Sequence, residues 1–522
     1  MRNRIILVIA FSMLLLSACK PTGEDVMNIT THMTEQETTG KKELPQTPSP
    51  SAEKPTEASE PAKETEHGKE QPDDKGNQDG NGNSDEKEHT DEKDYLDENE
   101  HLDNLPMVSG VSKDMLKPGF WLSMLDYAEE IILSSNEIAQ YNISNFNKLP
   151  FLTAPEEFPV SIAGKRVLQY IKELSVPSKS VRYDETGRKY QTADYEKLEK
   201  NLNVLLISET VKVQYGLTVK RTLMRTWPAN KEAYENPRNM RNDMFVETAV
   251  YPLEPVAIYH TSEDGKWYFA QIYNYMAWIS ANDVALCSWN KLEDFLSNKE
   301  QLIIKEALIH TPASSDKRIS NLQLDMGVAL PLKYESAGTY AVDFSLADAN
   351  GNLEFAEVLL PKSDSVQKGY LGYTTKNVLE QAFKFLGEDY GWGGMNNARD
   401  CSAFILDVYR SFGIKLPRNT GQQEQVKGAI SLRGKSRQER LAALDSIKPG
   451  SALYMPGHTM MYLGKCQNRH YIIHDAATVY EKTQDGSLKP MVLYQVAVTT
   501  LDVYTGKGVE YLMALTSAVE FR

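Results

Sequence analysis

Apolar and polar positions change rhythm several times along the 522 residues, and each change marks a boundary. A basic start at Arg2 and Arg4 leads into an apolar run over 5–16, and few Ile, Val or Leu follow until about residue 105. From there to about 200 the pattern is helical or irregular, with apolar side chains at helical spacing over 121–134. Between about 203 and 290 the period drops to two. V-L-L-I, V-K-V, A-V-Y-P-L-E-P-V-A-I-Y-H, K-W-Y-F-A-Q-I-Y and M-A-W-I predict short strands of a small β-barrel, and the Asp-Gly pair of T-S-E-D-G-K predicts a hairpin turn. A weaker strand-rich stretch runs over about 303–362. Helical spacing returns at 374–386, between a Thr start and Gly387. It recurs at Cys401, Ile405, Val408 and Phe412, one face of a helix capped by Asp400 and closed by Gly413. A strand is predicted from His458, behind Pro456-Gly457, and a neighbouring one ends in H-Y-I-I-H at His474, after a turn through Asn468.

Composition changes this picture in one place. The chain is 41% hydrophobic and 25% charged, ordinary for a soluble protein, but residues 19–104 hold 24 acidic side chains against 9 basic ones. That stretch has one aromatic residue, Tyr95, and cannot bury enough apolar surface to offset its conformational entropy. It reads as a disordered acidic tether with a span of about 50 Å. The net charge of −15 belongs to it, so the acidic balance says nothing about a substrate. The apolar run before it is too short to span a membrane and reads as a secretory signal. Its end, L-S-A-C, resembles a bacterial lipoprotein lipobox, which implies cleavage after residue 18 and acylation of Cys19.

The four cysteines, 19, 287, 401 and 466, stand far apart with no C-x-x-C pair, against a disulfide framework or a zinc site. Cys287 and Cys466 lie in apolar strand contexts and suit packing. Cys401 lies in the first turn of a helix, where unpaired N–H groups and the dipole favour an anion, so a resting thiolate nucleophile is expected there. A thiolate needs a proton partner. Histidines on two adjacent antiparallel strands, His458 and His474, can come within hydrogen-bond reach, one as base and the other orienting it.

The stretches Y-G-W-G-G, D-C-S, L-P-R-N-T-G-Q-Q, K-P-G-S-A-L-Y-M-P-G-H-T-M-M-Y-L-G and I-I-H-D-A together resemble the NlpC-type papain-like cysteine peptidases of bacterial cell walls. E-P-V-A-I-Y-H-T-S-E-D-G-K-W-Y-F-A with A-W-I resembles a bacterial SH3-like wall domain, and G-V-A-L-P-L-K-Y a second copy lacking the terminal tryptophan motif. The fold class expected is α+β: a papain-like cysteine peptidase domain preceded by two small SH3-like β-barrels and a helical N-terminal segment. The boundaries are 1–18 signal, 19–104 tether, 105–202 helical segment, 203–292 and 293–365 SH3-like domains, and 366–522 peptidase domain. The resemblance implies Cys401 as nucleophile, His458 as base and His474 as the orienting third residue. It implies Tyr390 near the oxyanion position, and Trp392, Asp400, Ser402 and Thr420 lining a peptide pocket. It further implies hydrolysis of the bond from γ-D-glutamate to a diamino acid in peptidoglycan stem peptides, with a barrel able to demand a free N-terminal L-alanine. Three departures stand out: a shorter loop over 395–399, Ala403 in place of a common glycine, and Ser451 where Asp is commoner.

Two other readings compete. A binding lipoprotein with a silent site would use the same barrels and tether, but the intact Cys401, His458 and His474 weigh against it. An amidase or acyltransferase would use the same thiol chemistry on another bond. Neither a metal-ligand cluster nor a phosphate loop is present, so no cofactor is expected. No basic patch is visible, so nucleic acid is not an expected partner. The expected partners are stem peptides or muropeptides and a membrane reached through Cys19, with the chain acting as a monomer on the extracytoplasmic face.

Overall fold

In the computed structural model the described residues are Leu102 and 105–522, so the signal, Cys19 and nearly all of the acidic stretch lie outside them. Three longer helices lead in: α1 Ser135–Lys148, α2 Gly164–Leu174 and α3 Thr192–Asn201. A capping box starts α1, where Ser134 Oγ accepts the Glu137 N–H and the Glu137 carboxylate accepts the Ser134 N–H. The helical spacing over 121–134 does not make one helix. Only Pro118–Leu122 is helical there, because Ile131–Leu133 is drawn into antiparallel pairing with Tyr373–Thr374. Tertiary pairing outweighs local periodicity in that stretch.

The period-two region forms a seven-stranded antiparallel sheet: β1 Gln214–Thr218, β2 Thr222–Arg225, β3 Val246–Val250, β4 Pro255–Thr261, β5 Trp267–Ile272, β6 Tyr275–Ser280 and β7 Val284–Cys287. Its order is β7-β1-β4-β5-β6-β2-β3, around buried Trp227, Phe269 and Trp278. The Asp-Gly turn joins β4 to β5 with Gly265 at φ 70°. V-L-L-I is not a strand. Asn203 adopts φ 55°, the chain makes one 3-10 turn, and Leu205 and Leu206 are exposed.

A five-stranded antiparallel sheet follows: β8 Gln301–Ile304, β9 Ala329–Glu335, β10 Thr339–Ala347, β11 Leu353–Pro361 and β12 Val366–Lys368. Its order is β11-β10-β9-β8-β12, over a core of Leu302, Leu330, Val342 and Phe344.

The last region sets two helices, α4 Thr375–Phe383 and α5 Cys401–Arg410, against a six-stranded sheet. The strands are β13 Ala429–Ser431, β14 Ala452–Met455, β15 His458–Cys466, β16 Arg469–Lys482, β17 Leu488–Thr500 and β18 Ser517–Val519, in the order β13-β18-β14-β15-β16-β17. Alternation along β15 buries both faces: Met461 and Leu463 meet the α4 and α5 side, while Met460 and Tyr462 pack with Leu444 of α6 Arg437–Ser446. Among the described residues no helix is long and apolar enough to cross a membrane.

The G-W-G-G loop joins this region to the first sheet. Gly393 and Gly394 take φ 58° and 97°, where L side chains are strained. A Cβ on Gly394 would also stand 2.4 Å from Ala249 Cβ in β3. Two glycines thus let the loop ahead of Cys401 lie directly on the first sheet.

Candidate active site

Cys401 is the first residue of α5, and Asp400 caps the helix, its Oδ1 accepting the Ala403 N–H at 2.9 Å. Arg418 holds the same carboxylate, with Nη2 2.6 Å from Oδ2 and Nη1 3.1 Å from Oδ1. Its Nη1 also donates to Ser402 Oγ at 2.7 Å and its Nε to Thr248 Oγ1 of β3 at 2.6 Å. Burial alone would raise the Asp400 carboxyl, but Arg418 and the surrounding donors outweigh it and hold the group below its ordinary value. A carboxylate therefore sits next to the thiol.

That neighbour changes the state of Cys401. The residue is 7% exposed, and the Thr459 N–H and Thr420 hydroxyl hydrogen-bond to it. Burial, then the Asp400 charge, push the thiol up to about 12. The resting thiolate expected from the helix mouth is thus corrected: desolvation and a nearby carboxylate exceed the pull of the dipole and the two hydrogen bonds.

His458 opens β15, and its Nε2 lies 2.8 Å from His474 Nδ1 on β16. His474 Nε2 lies 3.1 Å from Thr499 Oγ1 on β17. Tyr511 sets its ring against both imidazoles. Burial brings His458 down to about 4; burial and then the His458 charge bring His474 well below its ordinary value. Both rings are neutral near pH 7. If His458 Nε2 donates to His474 Nδ1, His474 Nε2–H faces Thr499 and His458 Nδ1 is left unprotonated.

The other expected residues divide. Tyr390 is anchored by its N–H to Tyr494 O at 2.9 Å. Its phenol is held well above 10 by burial and then by the charges of Cys401 and Asp400, so it keeps its proton beside the sulfur. Thr420 reaches the thiol. Asp400 and Ser402 are engaged by Arg418, and Trp392 packs against the core of the first sheet.

Four further groups bear on the site and escaped sequence reasoning. Arg418 lay inside L-P-R-N-T-G-Q-Q, but no local pattern tells which carboxylate an arginine will meet. Glu247 of β3 accepts the Thr226 hydroxyl at 2.6 Å and the Tyr275 hydroxyl at 2.5 Å. Tyr275 also hydrogen-bonds to Asn419, the neighbour of Thr420, so the first sheet presents an acid close to the site. Asp475 directly follows His474, is fully buried, and has no hydrogen-bond partner for either carboxyl oxygen. Burial, then Asp400 and Glu388, raise it well above its ordinary value, which keeps it neutral.

Known proteins meet the chain at the same places. Residues 387–493, which include Cys401, His458 and His474, match the NlpC/P60 family, and residues 233–280 match the SH3 domain of the SH3b1 type. The chain carries an NlpC/P60 domain and an SH3b domain. The γ-D-glutamyl-L-lysine dipeptidyl-peptidase of Bacillus subtilis (strain 168) is 22% identical over 274 residues, 50% of this chain and 86% of that protein. A solved NlpC/P60 endopeptidase from Photobacterium damselae subsp. piscicida superposes with a TM-score of 0.63 at 16% identity, covering 77% of this chain and 96% of its own. An NlpC/P60 family protein from Bacillus cereus ATCC 10987 aligns over 53% of this chain and 82% of its own, at 17% identity and a TM-score of 0.37. The NlpC/P60 match thus runs from the loop before α5 into β17 of the six-stranded sheet, and the SH3b match lies within the region of the seven-stranded one.

Proposed function

We propose that the protein is a lipid-anchored cysteine endopeptidase of the bacterial cell wall, cleaving the γ-D-glutamyl–diamino acid bond of peptidoglycan stem peptides with a free N-terminal L-alanine. The observation that carries this is the His458–His474 hydrogen bond in a domain whose thiol stands at the mouth of a helix. His458 Nδ1 takes the thiol proton as Sγ attacks the γ-carbonyl carbon, so the neutral pair becomes thiolate-like only while the new bond forms. The oxyanion lies by the first N–H groups of α5 and the Tyr390 hydroxyl, which keeps a proton to donate. Collapse breaks the C–N bond, and His458 returns its proton to the leaving amine. Water then cleaves the thioester with His458 as base. His474 and Thr499 hold the ring and tautomer.

The substrate class is supported by the B. subtilis relative, named for a γ-D-glutamyl-L-lysine bond. The demand for a free amine is supported by Glu247, a carboxylate of the first sheet joined to Asn419 through the Tyr275 hydroxyl. Export and anchoring rest on L-S-A-C alone, and labelling with radioactive palmitate, lost in Cys19→Ala, tests them.

The deciding experiment is mass spectrometry of L-Ala-γ-D-Glu-diaminopimelate and its lysine analogue after incubation with the protein, beside Cys401→Ala. L-Ala-γ-D-Glu is expected from the wild type only, and acetylating the alanine amine should abolish the product. If both peptides bind and neither is cut, the protein is a peptidoglycan-binding lipoprotein instead.

A further inference from the structure

The tripeptide just ahead of Asp400 and Cys401 is held at every carbonyl. Asn397 O accepts from Gln323 Nε2 at 3.1 Å, Ala398 O from Arg221 Nη2 at 2.8 Å, and Arg399 O from the Gly391 N–H at 2.7 Å. The first two donors come from outside the NlpC/P60 domain. Arg221 precedes β2 of the first sheet, and Gln323 opens the short strand Gln323–Asp325, which pairs with Leu308–His310 in a two-stranded ribbon of its own.

The Arg399 side chain repeats the pattern. It is 1% exposed, with Nη2 3.1 Å from Asp325 Oδ1, Nε 3.0 Å from Asp407 Oδ2, Nη1 on the Glu388 carboxylate and its plane over Phe385. Asp325 ends the ribbon strand Gln323–Asp325, and its other oxygen is 3.4 Å from Arg221 Nε. Asp407 is in α5 itself, where it also takes the Tyr251 hydroxyl, at 3.0 and 2.9 Å, and Arg410. One buried network thus ties the nucleophile's helix and the residues before it to the first sheet and to the ribbon.

We infer that Asp325 and Gln323 are positioning residues for the proposed hydrolysis, so that the two-stranded ribbon of Leu308–His310 and Gln323–Asp325 sets where Cys401 stands although it contributes none of the groups described around the thiol. Each residue has two soft dihedrals, and three successive carbonyls are pinned here. Cys401 therefore has little freedom to drift unless a pin is lost. A buried ion cluster is weak evidence for stability, since desolvation consumes most of its Coulombic gain. That Gln323, Arg221 and Asp325 all take hold of residues 397–399, immediately ahead of Asp400 and Cys401, points to placement.

This inference rests on the peptidase proposal, so the test carries one readout that needs no substrate. In the full chain, Asp325→Asn and Gln323→Ala are compared with wild type for kcat and KM on the stem tripeptide, and for the rate at which iodoacetamide alkylates Cys401. Asp325→Asn is expected to lower kcat about tenfold or more at unchanged KM and to change the alkylation rate, as misplacement of a reacting atom does. Gln323→Ala, which removes no charge, should move both in the same direction by less. Folded variants with wild-type kcat and alkylation rate overturn the inference, and so does a rise in KM alone, which would assign these residues to substrate binding. Should Asp325→Asn fail to fold, Gln323→Ala decides by itself. If the wild type cuts no stem peptide, the peptidase proposal falls while the alkylation rates still judge the positioning.

Discussion

At the scale of single residues the site is governed by which groups are denied a charge. Cys401 is pushed up to about 12 and His458 down to about 4, so near pH 7 the resting pair is thiol and imidazole. The ultraviolet absorbance of a thiolate should therefore be missing from the wild type minus Cys401→Ser difference at neutral pH, and a clear thiolate band there would restore the ion pair. In the proposed hydrolysis His458 is a base only when neutral, so kcat/KM should hold on the acid side until it falls through about pH 4. An acid limb near the ordinary histidine value would mean that His458 is not enclosed as described. Asp475 makes a second case. A carboxyl raised in the fold contributes stability below its unfolded value of 3.8, and that stability is lost as pH rises through its folded value. Asp475→Asn should therefore melt higher than wild type at alkaline pH, with the difference shrinking towards pH 4. A difference that does not change with pH would mean that Asp475 is ionised in the fold.

At the scale of elements, the mouth of α5 depends on the loop before it. Gly394 combines φ 97° with a Cβ position 2.4 Å from Ala249 Cβ, which belongs to a strand and cannot swing aside. Gly394→Ala should cost roughly 1–3 kcal/mol in thermal or denaturant unfolding, and should lower turnover because the loop leads straight to Cys401. Gly338→Ala is the control: nothing stands within 4 Å of its Cβ position and its φ is not positive, so little change is expected. The histidine pair is likewise a product of strand register. Met461 faces Ile473 across β15 and β16, and the same antiparallel pairing brings the start of one strand beside the end of H-Y-I-I-H. The α-helical and β-periodic signals for these elements were legible because each lies within a few residues: a cap that accepts an N–H three positions on, an alternation of two.

At the scale of the whole molecule, the first sheet, the ribbon of Leu308–His310 and Gln323–Asp325, and the six-stranded sheet's region meet on buried arginines and carboxylates, so they should unfold together. Calorimetry of the described region should give one transition, and Tyr251→Phe, which removes a hydroxyl from Asp407, should lower its midpoint by an amount equivalent to about 1–2 kcal/mol. Separate transitions for the sheets would show that the network does not couple them. The sequence by itself determined the alternating and helical elements of the last region, the cap at Asp400, the Asp-Gly hairpin and the three residue types that a thiol hydrolysis needs. These follow from contacts between near neighbours in the chain. Tertiary structure decided the rest. The fate of 121–134 and of V-L-L-I hung on which strand edges were within reach. The thiol's state hung on burial and on Asp400 as well as on a helix end, and the partners of Arg399 lie up to 92 residues away. Coulomb forces and desolvation act through space, and only the folded chain says which charges share a dry interior.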